Sequence, residues 1–90
     1  MNNRIHRLKS WPVFFQAIVN GARTHELRRN DRNYKIGDKL VLCEFDLTKS
    51  EFTGASCELE ITSITSAEEP CAVSEEALNR NFCILSIRRL

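Results

Sequence analysis

Gly21-Ala22-Arg23-Thr24-His25-Glu26-Leu27-Arg28-Arg29-Asn30-Asp31-Arg32 is where a helical spacing of apolar residues stops and an alternating one begins. Read as a strand after Gly21, it places Thr24, Glu26 and Arg28 on one face and His25 and Leu27 on the other, because successive strand side chains point to opposite sides. A carboxylate, a guanidinium and a hydroxyl in a row, with Arg23, Arg29 and Arg32 close by, make poor core material. They suit the gripping of a polar, anionic ligand. His25, alternating with Leu27, is expected on the core side as a structural histidine, and His6 is expected to be structural as well.

Upstream, Arg4 to Lys9 reads as a short strand. Ser10-Trp11-Pro12 opens a helix, with Ser10 or Trp11 at the cap and Pro12 tolerated in the first turn. Trp11, Phe14, Phe15, Ile18 and Val19 then recur at helical spacing as one apolar stripe, so a helix over about residues 11–20 is expected to pack that stripe on the core. Gly21 is placed to end it in a left-handed turn. Downstream, Arg29 to Asn33 has loop composition. Lys39 to Asp46 is a strand apolar on both faces at its centre. Thr48 to Gly54 reads as a hairpin connection with Gly54 at positive φ, and Ser56 to Thr65 as a half-buried strand with an acidic outer face. Ser74 is expected to cap a short second helix over about residues 75–80, and Phe82 to Arg89 is a closing strand whose arginines join the basic face. One main helix among five or six strands predicts a mainly β (α+β) single domain, a small twisted barrel or half-barrel with the helix over an opening.

Ninety residues with 42% apolar and 28% charged composition supply one modest core. The net charge of +1 conceals segregation: residues 1–39 carry +6, residues 40–79 carry −8 and residues 80–90 carry +3. A basic face with an acidic back follows if the chain ends meet, and such a face suits phosphate. No apolar run approaches the length of a membrane span and Met1-Asn2-Asn3-Arg4 lacks a signal-peptide core, so a cytoplasmic protein with no membrane partner is expected. Cys43, Cys57, Cys71 and Cys83 lie too far apart for metal knuckles. Reduced, mostly buried thiols are expected, with no metal and no cofactor.

Taken together, His6-x-Leu8-Lys9, the aromatic helix ending at Gly21, Thr24-x-Glu26-x-Arg28-x-Asn30-Asp31-Arg32, Gly37-Asp38-x-Leu40-x-Leu42-x-Glu44 and Thr53-Gly54 resemble the ASCH domains. These are the activating signal cointegrator homology branch of the PUA-like superfamily, and the likeness is to a short bacterial and phage subfamily with the Asn-Asp-Arg signature. The resemblance covers most of the chain. It implies a PUA-like β-barrel with a ligand cleft between helix and barrel, and RNA binding. The family signature Gly-x-Lys-x-x-Glu-x-Arg falls on Gly21, Arg23, Glu26 and Arg28, with arginine standing where lysine is usual. Some ASCH-like proteins are amidohydrolases that deacetylate N4-acetylcytidine through that lysine, a threonine at the position of Glu26 and a downstream glutamate. Arg23 cannot act as a neutral amine.

Three functions follow as expectations. In the first, an RNA or modified-nucleotide binding module uses Lys9, Arg23, Thr24, Glu26, Arg28, Arg29 and Arg32. In the second, a small amidohydrolase uses Glu26 as base, with Glu68 or Glu69 as the downstream acid. In the third, a protein-interaction module of a phage or mobile element uses an acidic back of Glu58, Glu60, Glu68 and Glu69.

Overall fold

The computed structural model describes residues 3–90; Met1, Asn2 and the side chain of Ser74, the expected helix cap, lie outside the described part. The elements run β1 (Ile5–Ser10), α1 (Pro12–Val19), β2 (His25–Arg29), β3 (Lys39–Asp46), β4 (Glu51–Ser66), α2 (Ser74–Ala77) and β5 (Phe82–Arg89). The strands form one curled sheet in the order β1-β3-β4-β5-β2, a half-barrel that matches the mainly β expectation. β1 and β3 run parallel, and the pairs β3–β4, β4–β5 and β5–β2 run antiparallel.

Alternation decides what fills the interior. His6, Leu8 and Ser10 of β1 stand beside Leu40, Leu42 and Glu44 of β3, and paired residues share a sheet face. These six are all buried, and Cys57, Leu59 and Ile61 of β4 with Cys83, Leu85 and Ile87 of β5 complete the inner wall. α1 packs against β3 and drops Phe15 and Ile18 into this core. Trp11 and Phe14, expected in the same stripe, remain 41% and 42% exposed. The half-barrel has room for only one edge of an eight-residue helix.

Local chemistry sets the ends of α1. Pro12 occupies the first turn and Trp11 the cap position, with no side chain capping the helix. Gly21 takes φ +85° just beyond it, in the left-handed region where L side chains are strained. The Arg89 Nη1 donates to the carbonyl of Val19 at 2.9 Å, placing a cation at the negative end of the helix. Arg88 pairs with Glu60. Both closing arginines are therefore engaged away from Lys9 and Arg28.

Two boundaries differ from expectation. The β3–β4 turn is shorter, at residues 47–50, because Asp46 Oδ1 accepts from the amides of Thr48 and Lys49 and Ser50 takes the positive φ. Gly54, with φ +96°, lies inside β4, on the hairpin arm where the β3–β4 register shifts. α2 is one turn of four residues.

The buried carboxylates of Asp38 and Glu44 are satisfied by matching donors. Asp38, 1% exposed, accepts from the amide of Arg4 on Oδ1, and from the amide of Lys35 and His6 Nε2 (2.8 Å) on Oδ2. A carboxylate can only accept, so Nε2 of His6 carries the hydrogen. Burial pushes the Asp38 carboxyl up, but the His6 and backbone hydrogen bonds outweigh it and hold the group below its usual range. Glu44 likewise accepts from Gln16 Nε2 at 3.0 Å and Thr53 Oγ1 at 2.8 Å, tying α1 to the sheet.

Candidate functional site

β1 and β2 are the two edges of the curled sheet, and no backbone ladder joins them. Arginines from the β2 side bridge the gap. Arg28 Nη2 donates to the carbonyl of Lys9 at 2.7 Å, and Arg32 Nη1 to the carbonyl of Arg7 at 3.1 Å. Guanidiniums thus stand in for the missing strand pairing, since their fixed fork of donors can satisfy edge carbonyls that a sheet leaves open.

Above this seam, between α1 and the edges, opens a cleft of about 340 Å³ lined by Lys9, Ser10, Trp11, Phe14, Arg23, Glu26, Leu27 and Arg28. Its size lies at the lower end of small-molecule sites. Glu26, 4% exposed, is opposite Leu85, and Arg28 is opposite Cys83, so both face inward. Arg28 Nε donates to Glu26 Oε2 at 2.8 Å, with Nη2 2.7 Å from the same oxygen. Glu26 Oε1 is 3.8 Å from Arg23 Nε, beyond hydrogen-bond reach. The Arg23 Nε is buried without a hydrogen-bond partner among the described residues, while its guanidinium carbon lies 4.4 Å from the centroid of Phe14. The cleft therefore holds a donor and an acceptor side by side, neither satisfied by the other, between aromatic faces and cations.

The strand reading is right about Glu26 and Arg28 and wrong about their neighbours. His25 is exposed and opposite Ser86, and Leu27 is 55% exposed, so the face expected to be core is the outer one. β2 is a sheet edge beside the cleft, so its inner residues Glu26 and Arg28 line the cleft, while His25, Leu27 and Arg29 on the outer face are left exposed. His6, by contrast, is buried as expected, with its ring edge-on to Tyr34 at 4.7 Å. Among the candidate binding residues, Lys9, Arg23, Glu26 and Arg28 converge on the cleft. Arg32 lines an adjoining groove. Thr24 instead lines a separate hollow with Ile18, Leu59 and Arg89, because the chain is still turning out of the helix there and strand alternation has not begun. Arg29 leaves the cluster altogether, lying 5.2 Å from the ring of Phe82 on the outer face.

Sequence reasoning missed the aromatic half of the site. Trp11 and Phe14 fit the helical core stripe, and only the narrowness of the half-barrel shows that they overhang it; the signal was their place at the helix start, beside the strand that carries Lys9. The acidic back is largely spent on pairing: Glu58 with Lys39 at 3.1 Å, Glu68 with Arg80 at 3.5 Å, and Glu60 with Arg88. Glu69 borders a distant hollow with Tyr34 and Asp38, and neither it nor Glu68 lines the cleft. Among the described residues, no helix is long and apolar enough to cross a membrane.

A family model described as a domain of unknown function (DUF3850) matches residues 5–87. The chain is also 37% identical over 65 residues to an uncharacterized 12.9 kDa protein in the GpA 3′ region of Escherichia phage P2. That match covers 72% of this chain and 58% of the phage protein's length.

Proposed function

The chain belongs to the DUF3850 family, and within it we propose a nucleic-acid-binding module of the ASCH, PUA-like kind that takes a base of RNA, or a modified nucleotide, into the cleft. One observation carries this reading: the unpartnered Arg23 Nε beside Glu26 Oε1. An adjacent donor and acceptor complement a base edge, where acceptor and donor atoms also sit side by side. Trp11 and Phe14 offer faces for stacking, and Lys9 and Arg28 bring positive charge for phosphate. A cytoplasmic setting belongs to the same proposal, supported by Cys57 and Cys83, whose thiols sit in the core and are pushed up by burial.

The amidohydrolase alternative has less support. A guanidinium at position 23 offers no amine nucleophile, Glu26 Oε2 is already engaged by Arg28, and the candidate downstream acids lie elsewhere.

Trp11 is the one tryptophan of the chain, so its fluorescence reports on the cleft. Nucleoside monophosphates titrated at low salt are expected to quench it saturably. Arg23→Ala or Glu26→Gln should weaken binding by about tenfold or more, as removal of a specific hydrogen bond to a charged group does. Saturable binding that ignores both substitutions, or no binding by fluorescence and calorimetry, would sink the proposal.

A further inference from the structure

The cleft does not end at Lys9. A second groove, of about 480 Å³, lies across the β1 edge and is lined by Arg7, Leu8, Lys9, Arg28, Arg32, Cys43 and Phe52. It shares Lys9 and Arg28 with the cleft. Among the described residues no acid lines it, and four cations do. This is the outer side of the sheet, where Arg7 and Lys9 alternate outward from β1 and Lys9 stands beside Cys43 of β3.

An aromatic path joins the two hollows. Trp11, in the cleft wall, is 6.1 Å from Phe45 between ring centroids, and Phe45 is 5.0 Å from Phe52 in edge-to-face contact. The ammonium of Lys9 sits over this path, 4.3 Å from the Phe45 centroid and 5.9 Å from that of Phe52. Phe52 is 54% exposed although it belongs to a strand pair with Phe45. An exposed aromatic ring among cations is the arrangement by which proteins hold bases and the backbone of a single strand, stacking on the first and neutralising the second.

We infer that the ligand is a single-stranded oligonucleotide, with one base in the cleft and the adjoining nucleotides running over Lys9 into the outer groove. There they stack on Phe52 and their phosphates meet Arg7 and Arg32. This rests on the cleft reading above and adds a length and a direction to it. A mononucleotide fills only the first hollow; a longer strand gains the second. Duplex does not fit the scheme, because a base seated in the cleft has to leave its stack.

Length dependence tests it. Uridine and thymidine mono-, tri- and pentanucleotides are titrated against the wild-type chain, Phe52→Ala and Arg7→Glu. Neither substituted residue lines the cleft, and both side chains are exposed, so folding is expected to survive. Wild-type affinity should rise at least tenfold from mono- to trinucleotide, with the log–log salt slope steepening by about 0.7 for each added phosphate contact. Phe52→Ala should lower trinucleotide affinity by roughly tenfold. Both variants should bind the mononucleotide as the wild type does. The RNA and DNA series distinguish whether a ribose hydroxyl is read. If mono- and trinucleotides bind alike, the inference fails and the cleft reading stands. If longer strands bind more tightly but neither variant responds, the strand leaves the cleft another way and the inference fails too. Binding of nothing at any length overturns both.

Discussion

At the scale of single residues, the contrast between Asp38 and Glu26 separates a structural carboxylate from a candidate functional one. Asp38 is buried with three donors aimed at it, so its hydrogen-bonding capacity is met within the fold. Glu26 is also buried, yet only its Oε2 is held, by Arg28, while Oε1 stays 3.8 Å from Arg23 Nε, out of hydrogen-bond reach of it. Because the Asp38 carboxyl is held below its usual value of 3.8, its contribution to stability is complete above that value and is lost as pH falls through the lower folded one. Asp38→Asn places a donor against donors. We expect it to cost about 1–3 kcal/mol at neutral pH, and to flatten the loss of stability below about pH 4, in urea unfolding followed across pH. An unchanged acid limb would remove Asp38 from that account.

At the scale of elements, α1 divides its aromatic residues between two tasks. Phe15 is 3% exposed in the core, whereas Phe14, one position earlier, lies under Arg23 at the cleft wall. The helix is only eight residues long, and its C-terminus is held by Gly21 and by Arg89 reaching to Val19. Phe15→Ala is expected to destabilise the fold by about 3–5 kcal/mol, the usual cost of emptying an aromatic core position. Phe14→Ala should cost about 1 kcal/mol or less in the same thermal or urea measurement, with its main effect on ligand quenching of Trp11. Equal destabilisation by the two would mean that the stripe is uniformly core, as its spacing alone suggests.

At the scale of the whole molecule, the half-barrel is closed by side chains where a full barrel would use a ladder. Arg28 and Arg32 hold the β2 side against β1, so the charges that line the cleft and groove also hold its walls together. Arg28→Lys combined with Arg32→Lys keeps the charge and loses the fork. Hydrogen exchange of the β1 and β2 amides should then accelerate by about tenfold or more while the β4–β5 amides hardly change, because only the seam loosens. Uniform acceleration would mean that the arginines support the fold globally. The chain by itself determined the strands β3 and β5, the part of β4 from Ser56 onward, the helix and its stop at Gly21, since these rest on periodicity and backbone chemistry that a local segment carries. The pairing of Glu26 with Arg28 on one face was legible for the same reason. Only the tertiary structure decided which face of β2 turns inward, that Trp11 and Phe14 overhang the core, and that Thr24 and Arg29 leave the site while Phe52 joins a groove beside it. Local pattern sets which side chains travel together; what they meet depends on how a curved sheet of limited width closes around one short helix.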